Sequence, residues 1–367
     1  MARSRQIVRR IHLWLGLGLG ALMVLAGLTG SALVFYVEID AWLHPEQSAD
    51  GSASPVSYDQ AISTLRTVFP DKQGQWRFEV TGRPGAIPAR YYSPPETAGR
   101  DFAPMMVWLS PDGTRVLRRD FWGDYAMTWI YDLHYRLQFG KTGGVIFGYA
   151  GLGLLALLIS GLWAWWPRGS WAKALRFKRH APQSRRLRDI HKLAGLLSLP
   201  LLATLTITGV MLALPDESSA VLAPLLGEPT PIPSPRSKRE SGEQIEPSIA
   251  IAAARQAMPQ ARIAWIEVPG SGRNAFRLRL RQSSDPSSRF PHSFIWIDQH
   301  DGEVIDQVDS RRMPASSIVI SWLHPLHDGS VGGFFVRWLV LITGAFPLLL
   351  FWSGLSRWYL ISRKLSP

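Results

Sequence analysis

The chain has 367 residues, 46% of them hydrophobic, with 16 tryptophans, no cysteine and a formal net charge of +12. The absence of cysteine excludes disulfides, thiolate nucleophiles, cysteinyl iron–sulfur clusters and C-x-x-C-H haem attachment. The positive excess raises nucleic acid as a partner, but the way the charges are sorted along the chain argues for membrane topology instead.

Residues 1–12 carry Arg3, Arg5, Arg9 and Arg10 without an acid and lead into an apolar stretch, 13–37. A bilayer-crossing helix needs about 20 apolar residues. This stretch is too long for a signal-peptide core and has no clear small-residue cleavage site, so it reads as an anchor. Three more stretches qualify, at 145–166, 193–214 and 332–356. The first and second bracket a polar region, 38–144, and the third and fourth bracket another, 215–331. Between the second and third lies the basic loop 167–192, and a short tail, 357–367, follows the fourth.

The terminal segments and the loop hold sixteen Lys/Arg and one acid, while the rest of the chain holds 24 basic and 27 acidic residues. The positive-inside rule therefore puts both termini and the loop in the cytoplasm and the two polar regions in the periplasm. With the charge so sorted, no nucleic-acid partner is expected, and the lipid bilayer is the first partner.

Each polar region begins with a helical pattern closed by proline, "VSYDQAISTLRTVFP" (56–70) and "IEPSIAIAAARQAMP" (245–259). Strand-like alternation follows, with a hairpin around Asp-Gly in "VWLSPDGTRVL" (107–117) and in "FIWIDQHDGEVI" (294–305). The expectation is an α-helical membrane protein of four transmembrane helices carrying two small α+β modules. The Pro/Ser-rich stretch 228–244 reads as a linker with no reason to pack.

The chain repeats itself. At an offset of 179, Ile11-His12 falls on Ile190-His191, Gly16 on Gly195 and Thr29-Gly30 on Thr208-Gly209. At an offset of 193, Leu133-His134 falls on Leu326-His327 and Ser160-Gly161-Leu162 on Ser353-Gly354-Leu355. The halves are thus parallel repeats about an axis along the membrane normal.

Four histidines keep matched positions: His12 and His191 at the basic ends of the first and third spans, His134 and His327 just before the second and fourth. Ionisable groups at such depth tend to face the bundle interior and mark function. One histidine at a helix end is most often an interfacial residue, and Gly16-x-x-x-Gly20 is also an ordinary helix-packing motif. Duplication at matched spacing favours a second reading, two bis-imidazole sites for haem b iron. Zinc, which prefers about four close ligands, suits two separated pairs less well. Gly16, Gly20 and Gly195 read as room for a flat macrocycle, and Arg10, Arg188, Arg136 and Arg337 as propionate contacts. His324, three residues before His327, is an alternative ligand without a counterpart in the first half. From His12 to Tyr36 is 24 residues, roughly 36 Å of helix, so either two haems at the membrane faces lean inward or an aromatic or third carrier bridges them.

The arginine-flanked "IHLWLGLGLG…GLTG", the "LHYRLQFG…SGLWAWWP" and the "PLHDG…SGL" resemble the PepSY-associated transmembrane family, and the polar regions resemble PepSY domains. The resemblance covers nearly the whole chain. It implies an inner-membrane protein with two bis-histidine haems that reduces ferric siderophores in the periplasm, with His12, His191, His134 and His327 as ligands. "PLHDG" departs from the pattern, with aspartate where a small hydroxyl residue is expected. The electron donor would be a cytoplasmic reductant or quinol. Two other functions are compatible with the same residues: a PepSY protein that senses or regulates a periplasmic peptidase without redox work, and a permease for iron chelates.

Overall fold

The computed structural model describes residues 2–47, 55–167, 169–240 and 242–363. Arg168 and Lys364, counted among the basic flanks, lie outside them. In the first half the helices are α1 (Ala2–Val34), α2 (Tyr36–Leu43), α3 (Tyr58–Val68), α4 (Ala126–Arg136), α5 (Gly140–Trp165) and α6 (Trp171–Leu175). The second half has α7 (Gln183–Ala213), α8 (Pro215–Leu226), α9 (Pro247–Ala257), α10 (Ala315–Asp328) and α11 (Gly333–Ser362). Strands β1 (Trp76–Glu79), β2 (Ile87–Tyr91), β3 (Met105–Leu109) and β4 (Val116–Phe121) belong to the first half. Strands β5 (Arg262–Val268), β6 (Phe276–Arg281), β7 (Ser293–Ile297) and β8 (Val304–Val308) belong to the second.

The four apolar stretches are helical, and these helices are long and apolar enough to cross a membrane. The chain is a multi-pass membrane protein. Two of the helices begin well before their apolar stretch, α1 at residue 2 rather than 13 and α7 at 183 rather than 193. A helix stops where its hydrogen bonding is interrupted, not where hydropathy falls. No glycine or proline separates Arg3 from Trp14, and α7 starts only after Pro182.

The chain divides into two compact units. The first comprises residues 1–35, 130–218 and 323–367. Here α1 and α7 each pack against both α5 and α11, which puts α1 and α7 at opposite corners of a four-helix bundle. Its centre is apolar: Met23, Leu154, Leu157 and Leu202 are buried and flanked by Phe346 and Leu350. Apolar side chains on the outer faces, such as Leu197 at 74% exposure, are left for lipid.

The second unit comprises residues 36–129 and 219–322, smaller than the polar regions 38–144 and 215–331 taken together. The histidine-bearing ends of α4 and α10 belong to the bundle instead, because their side chains bond to it. Both expected α+β modules are present, each a helix with four antiparallel strands. They are not separate: β1 pairs antiparallel with β5, giving one eight-stranded sheet of order β4-β3-β2-β1-β5-β6-β7-β8.

One sheet face, with Phe78, Met105, Ile266, Leu278 and Ile295, packs against Ala61 and Leu65 of α3 and Ala250 and Ala254 of α9. Ser57 caps α3 by accepting from the Gln60 N–H. The two Asp-Gly hairpins form as expected, with Gly113 and Gly302 both at φ 75°, where a side chain is strained.

Residues 228–244 do not behave as a free linker. Ser237 is fully buried, its N–H donating to Arg273 O, and Arg236 forms a β-bridge with Asn274. Thr230 N–H donates to Ser317 Oγ and Lys238 N–H to Asp298 Oδ2 at 2.7 Å. A Pro/Ser-rich composition lowers the drive to form regular structure, but its backbone groups still seek partners. Here the turn between β5 and β6, the end of β7 and α10 supply them.

Paired histidine sites in the bundle

The repeat that places the four histidines also builds their surroundings. His12 of α1 reaches α5 of its own half, its Nδ1 lying 3.1 Å from Leu157 O and 3.2 Å from Ser160 Oγ. His191 of α7 makes the same contacts with α11, 2.9 Å to Leu350 O and 3.2 Å to Ser353 Oγ. At the other level His134 Nδ1 is 2.9 Å from Thr29 Oγ1, and His327 Nδ1 is 3.0 Å from Thr208 Oγ1.

These partners fix the tautomer. A backbone carbonyl only accepts, so Nδ1 of His12 and His191 carries the proton. The Thr29 hydroxyl already donates to Leu25 O at 2.7 Å and that of Thr208 to Thr204 O at 2.7 Å, so each accepts from its histidine. All four Nε2 atoms are left with a lone pair, the form in which imidazole ligates a metal.

A glycine flanks every ring. A Cβ on Gly161 would lie 2.8 Å from His12 Cε1, on Gly354 3.4 Å from His191 Cε1, on Gly30 3.1 Å from His134 Cε1 and on Gly209 3.0 Å from His327 Cε1. These are the Ser-Gly and Thr-Gly pairs that anchored the repeat in sequence.

Each half therefore holds its own histidines, and the halves meet through them. The rings of His12 and His191 have centroids 6.1 Å apart at an interplanar angle of 86°. Those of His134 and His327 are 6.1 Å apart at 46°. Gly30, beside the far ring, is 18 residues beyond His12 on α1, roughly 27 Å of helix. The far pair thus sits inward of the end of α1, closer than the 24-residue count to Tyr36 suggested. Burial pushes His134 down to about 3, with His327 adding to it, and burial pushes His327 down to about 4; both rings are neutral at ordinary pH.

The other singled-out residues divide. His324 lies on α10 three residues before His327, where a positive charge on it would oppose one on that ring. Arg337 is committed to α1, donating from Nε to Val34 O at 3.1 Å and stacking 4.3 Å over Phe35. Arg136 stacks over Tyr135, Arg188 lies 4.0 Å from Asp189, and Arg10 is exposed. Gly20 is filled by the Phe351 ring, and Gly16 and Gly195 meet Leu157 and Leu350 at 3.8 and 3.6 Å. The glycines that touch the histidines are others. The residue passed over in the sequence is Asp189, 1% exposed, which pairs with Arg185 and Lys192 at 3.3 Å each and accepts from Lys178 N–H. It ties the basic loop to α7.

Among the described residues no three or more His, Asp or Glu side chains gather as a metal site. The arrangement is one of pairs. In comparison with known proteins, residues 9–360 match the model of the PepSY-associated TM region. No curated protein matches the chain.

Proposed function

The chain belongs to the PepSY-associated transmembrane family, and on that premise we propose that it is a di-haem b electron-transfer protein of the bacterial inner membrane that reduces ferric siderophores in the periplasm. The observation that carries this reading is the separation of the paired rings. Two imidazoles that would share one metal ion, at about 2 Å per metal–nitrogen bond, would have ring centres about 6 Å apart. Both pairs stand at 6.1 Å. The residues fit the group in chemistry as well: two neutral nitrogen donors per level, each oriented through Nδ1, with no cysteine or acid among them.

Haem iron, when bound, supplies one-electron chemistry at a potential set by its axial ligands and burial. The chain's own residues do the rest. Leu157 and Leu350 carbonyls and Thr29 and Thr208 hydroxyls hold the imidazoles by Nδ1 and raise their basicity. The glycines let the rings come close against the neighbouring helix. Between the two levels, residues 13–28, 142–160, 193–208 and 338–353 include no Asp, Glu, Lys, Arg or His, and Met23, Leu154 and Leu202 fill the centre. That plug excludes water and offers no acid–base relay for protons. Reduction at the periplasmic level would free the metal, since the hard oxygen donors of a siderophore hold Fe(III) far better than Fe(II). Electrons would come from a cytoplasmic reductant or quinol.

An absorbance spectrum of purified protein tests the reading. The expected result is a Soret band, a b-type pyridine haemochrome and two haems per chain. Protein that stays colourless after expression with haem in excess overturns it.

A further inference from the structure

The sheet of the second unit has a second face, opposite α3 and α9, and its side chains are not those of an ordinary solvent face. The strand register sets Arg90, Arg77, Glu267, Arg277 and Trp296 side by side across β2, β1, β5, β6 and β7. Two of the three guanidinium groups in this row share its one carboxylate: Glu267 pairs with Arg77 at 3.3 Å and Arg277 at 2.7 Å. Arg90 stands directly opposite Arg77, a like-charge pairing that a bare sheet disfavours.

Aromatic rings surround the same spot. Arg77 lies 4.0 Å over the Trp265 ring, and Arg90 lies 5.4 Å from Trp265 and 5.7 Å from Trp122. Arg77 Nη1 donates to Tyr92 Oη at 2.8 Å. Among the described residues no carboxylate lies within ion-pair distance of Arg90, and its Nε is buried without a hydrogen-bond partner. One row further, Arg279 is bonded to the Pro291 carbonyl rather than to an acid. Burial, with Arg77 and Arg277 beside it, pushes it down to about 10. The face holds more half-buried positive charge than its carboxylates, Glu267 and the Glu79 paired with Arg289, balance, beside flat rings.

We propose that this face, centred on Arg90 and Arg77 beside Trp265, binds a small anionic chelate whose metal-bearing groups are aromatic, of the catecholate class. Guanidinium groups meet the ligand's oxyanions through charge-assisted hydrogen bonds, and its rings stack on the guanidinium planes that the indoles support from beneath. The identity of the ligand as a metal chelate rests on the reductase reading; its charge and aromaticity rest on the face itself.

Redox-inert gallium keeps binding separate from electron transfer. Full-length protein in detergent is titrated with the Ga(III) complex of a tris-catecholate and with that of an uncharged tris-hydroxamate of similar size, following tryptophan fluorescence and heat. The catecholate complex should bind at least about tenfold tighter, the advantage shrinking as salt is raised. Arg90→Gln should remove most of that advantage, and Arg90→Lys should keep part of it. Should Arg90→Gln fail to fold, the wild-type salt titration and Arg90→Lys still decide. Equal affinity for the two complexes, no binding of either, or an Arg90→Gln variant that folds and binds the catecholate complex like the wild type overturns the proposal. A colourless protein that still binds the catecholate complex would remove the reductase reading and leave this site standing.

Discussion

Thr29 and His134 are 105 residues apart in sequence, yet Thr29 Oγ1 accepts a 2.9 Å hydrogen bond from His134 Nδ1. Thr208 does the same for His327 at 3.0 Å. Each hydroxyl also donates to a carbonyl of its own helix, so one threonine joins a histidine to the bundle and sets its tautomer. Replacing Thr29 or Thr208 by valine keeps the shape and removes the acceptor. Loss of such a partner typically weakens a metal site about 10- to 100-fold. Haem titration of the apoprotein should show a fall of that order at one of two sites, with the other unchanged. Equal affinity at both sites in Thr29→Val would mean that the hydroxyl does not support the ligand.

The pairing of rings makes a sharper prediction. His12→Ala and His191→Ala should each remove the same haem, and His134→Ala and His327→Ala the other, so every single variant keeps about half the haem of the wild type, as two bis-histidine sites require. The double variant His12→Ala/His191→Ala should lose no more than either single one. His324→Ala should retain both haems. A His324 variant that loses the far haem while His327→Ala keeps it would reverse the assignment on α10.

Gly161 and Gly30 offer a steric counterpart. A methyl group at Gly161 would stand 2.8 Å from His12 Cε1, and one at Gly30 3.1 Å from His134 Cε1. Gly161→Ala should displace the ring at the basic end and shift or broaden the spectrum of that haem alone. Gly18→Ala, with no atom within 4 Å of its Cβ position, should leave both spectra as they are.

Topology follows from the sorted charges. A reporter active only in the periplasm should be silent when fused after Arg185 and active when fused after Gly242. The opposite pattern would put His12 and His191 at the outer face and reverse the proposed direction of electron flow.

The strap formed by residues 228–244 carries a pH signature. Burial works against the charge on Asp298, but the backbone N–H groups of Lys238, His300 and Asp301 outweigh it and hold its carboxyl below the usual range. A folded-state value below the unfolded one contributes stability above the unfolded value of about 3.9, and this is lost as pH falls through the folded value. Asp298→Asn should therefore melt lower than the wild type at pH 7, and the gap should begin to close as pH falls below about 4. Deleting 228–244 should lower the melting point of the second unit, since Ser237 and Lys238 fasten to the sheet. An unchanged melting point would restore the reading of this stretch as a bare linker.

Hydropathy, charge sorting and the two repeat offsets were enough to find four spans, two α+β modules and the four matched histidines, because each of these is a property of neighbouring residues or of a segment copied whole. The Ser-Gly and Thr-Gly pairs were legible as repeated dipeptides, but their task was not. Ser160 meets His12 across 148 residues and Ser353 meets His191 across 162, and no local period encodes a contact between helices. The same holds for the glycines: spacing on one helix favoured Gly16 and Gly20, whereas packing brought Gly161 and Gly354 of the facing helices against the rings. Arg337 read as a propionate contact, whereas in the folded chain the end of α1 occupies it. The joining of two modules into one sheet was likewise invisible, because edge-to-edge pairing of β1 with β5 depends on unpaired backbone groups, which every strand has alike. Sequence alone determined which residues recur and which cross the bilayer; which nitrogen of each histidine is free, and which ring it faces, was decided only when the helices packed, since a tautomer is set by the partner across the gap and not by the neighbour in the chain.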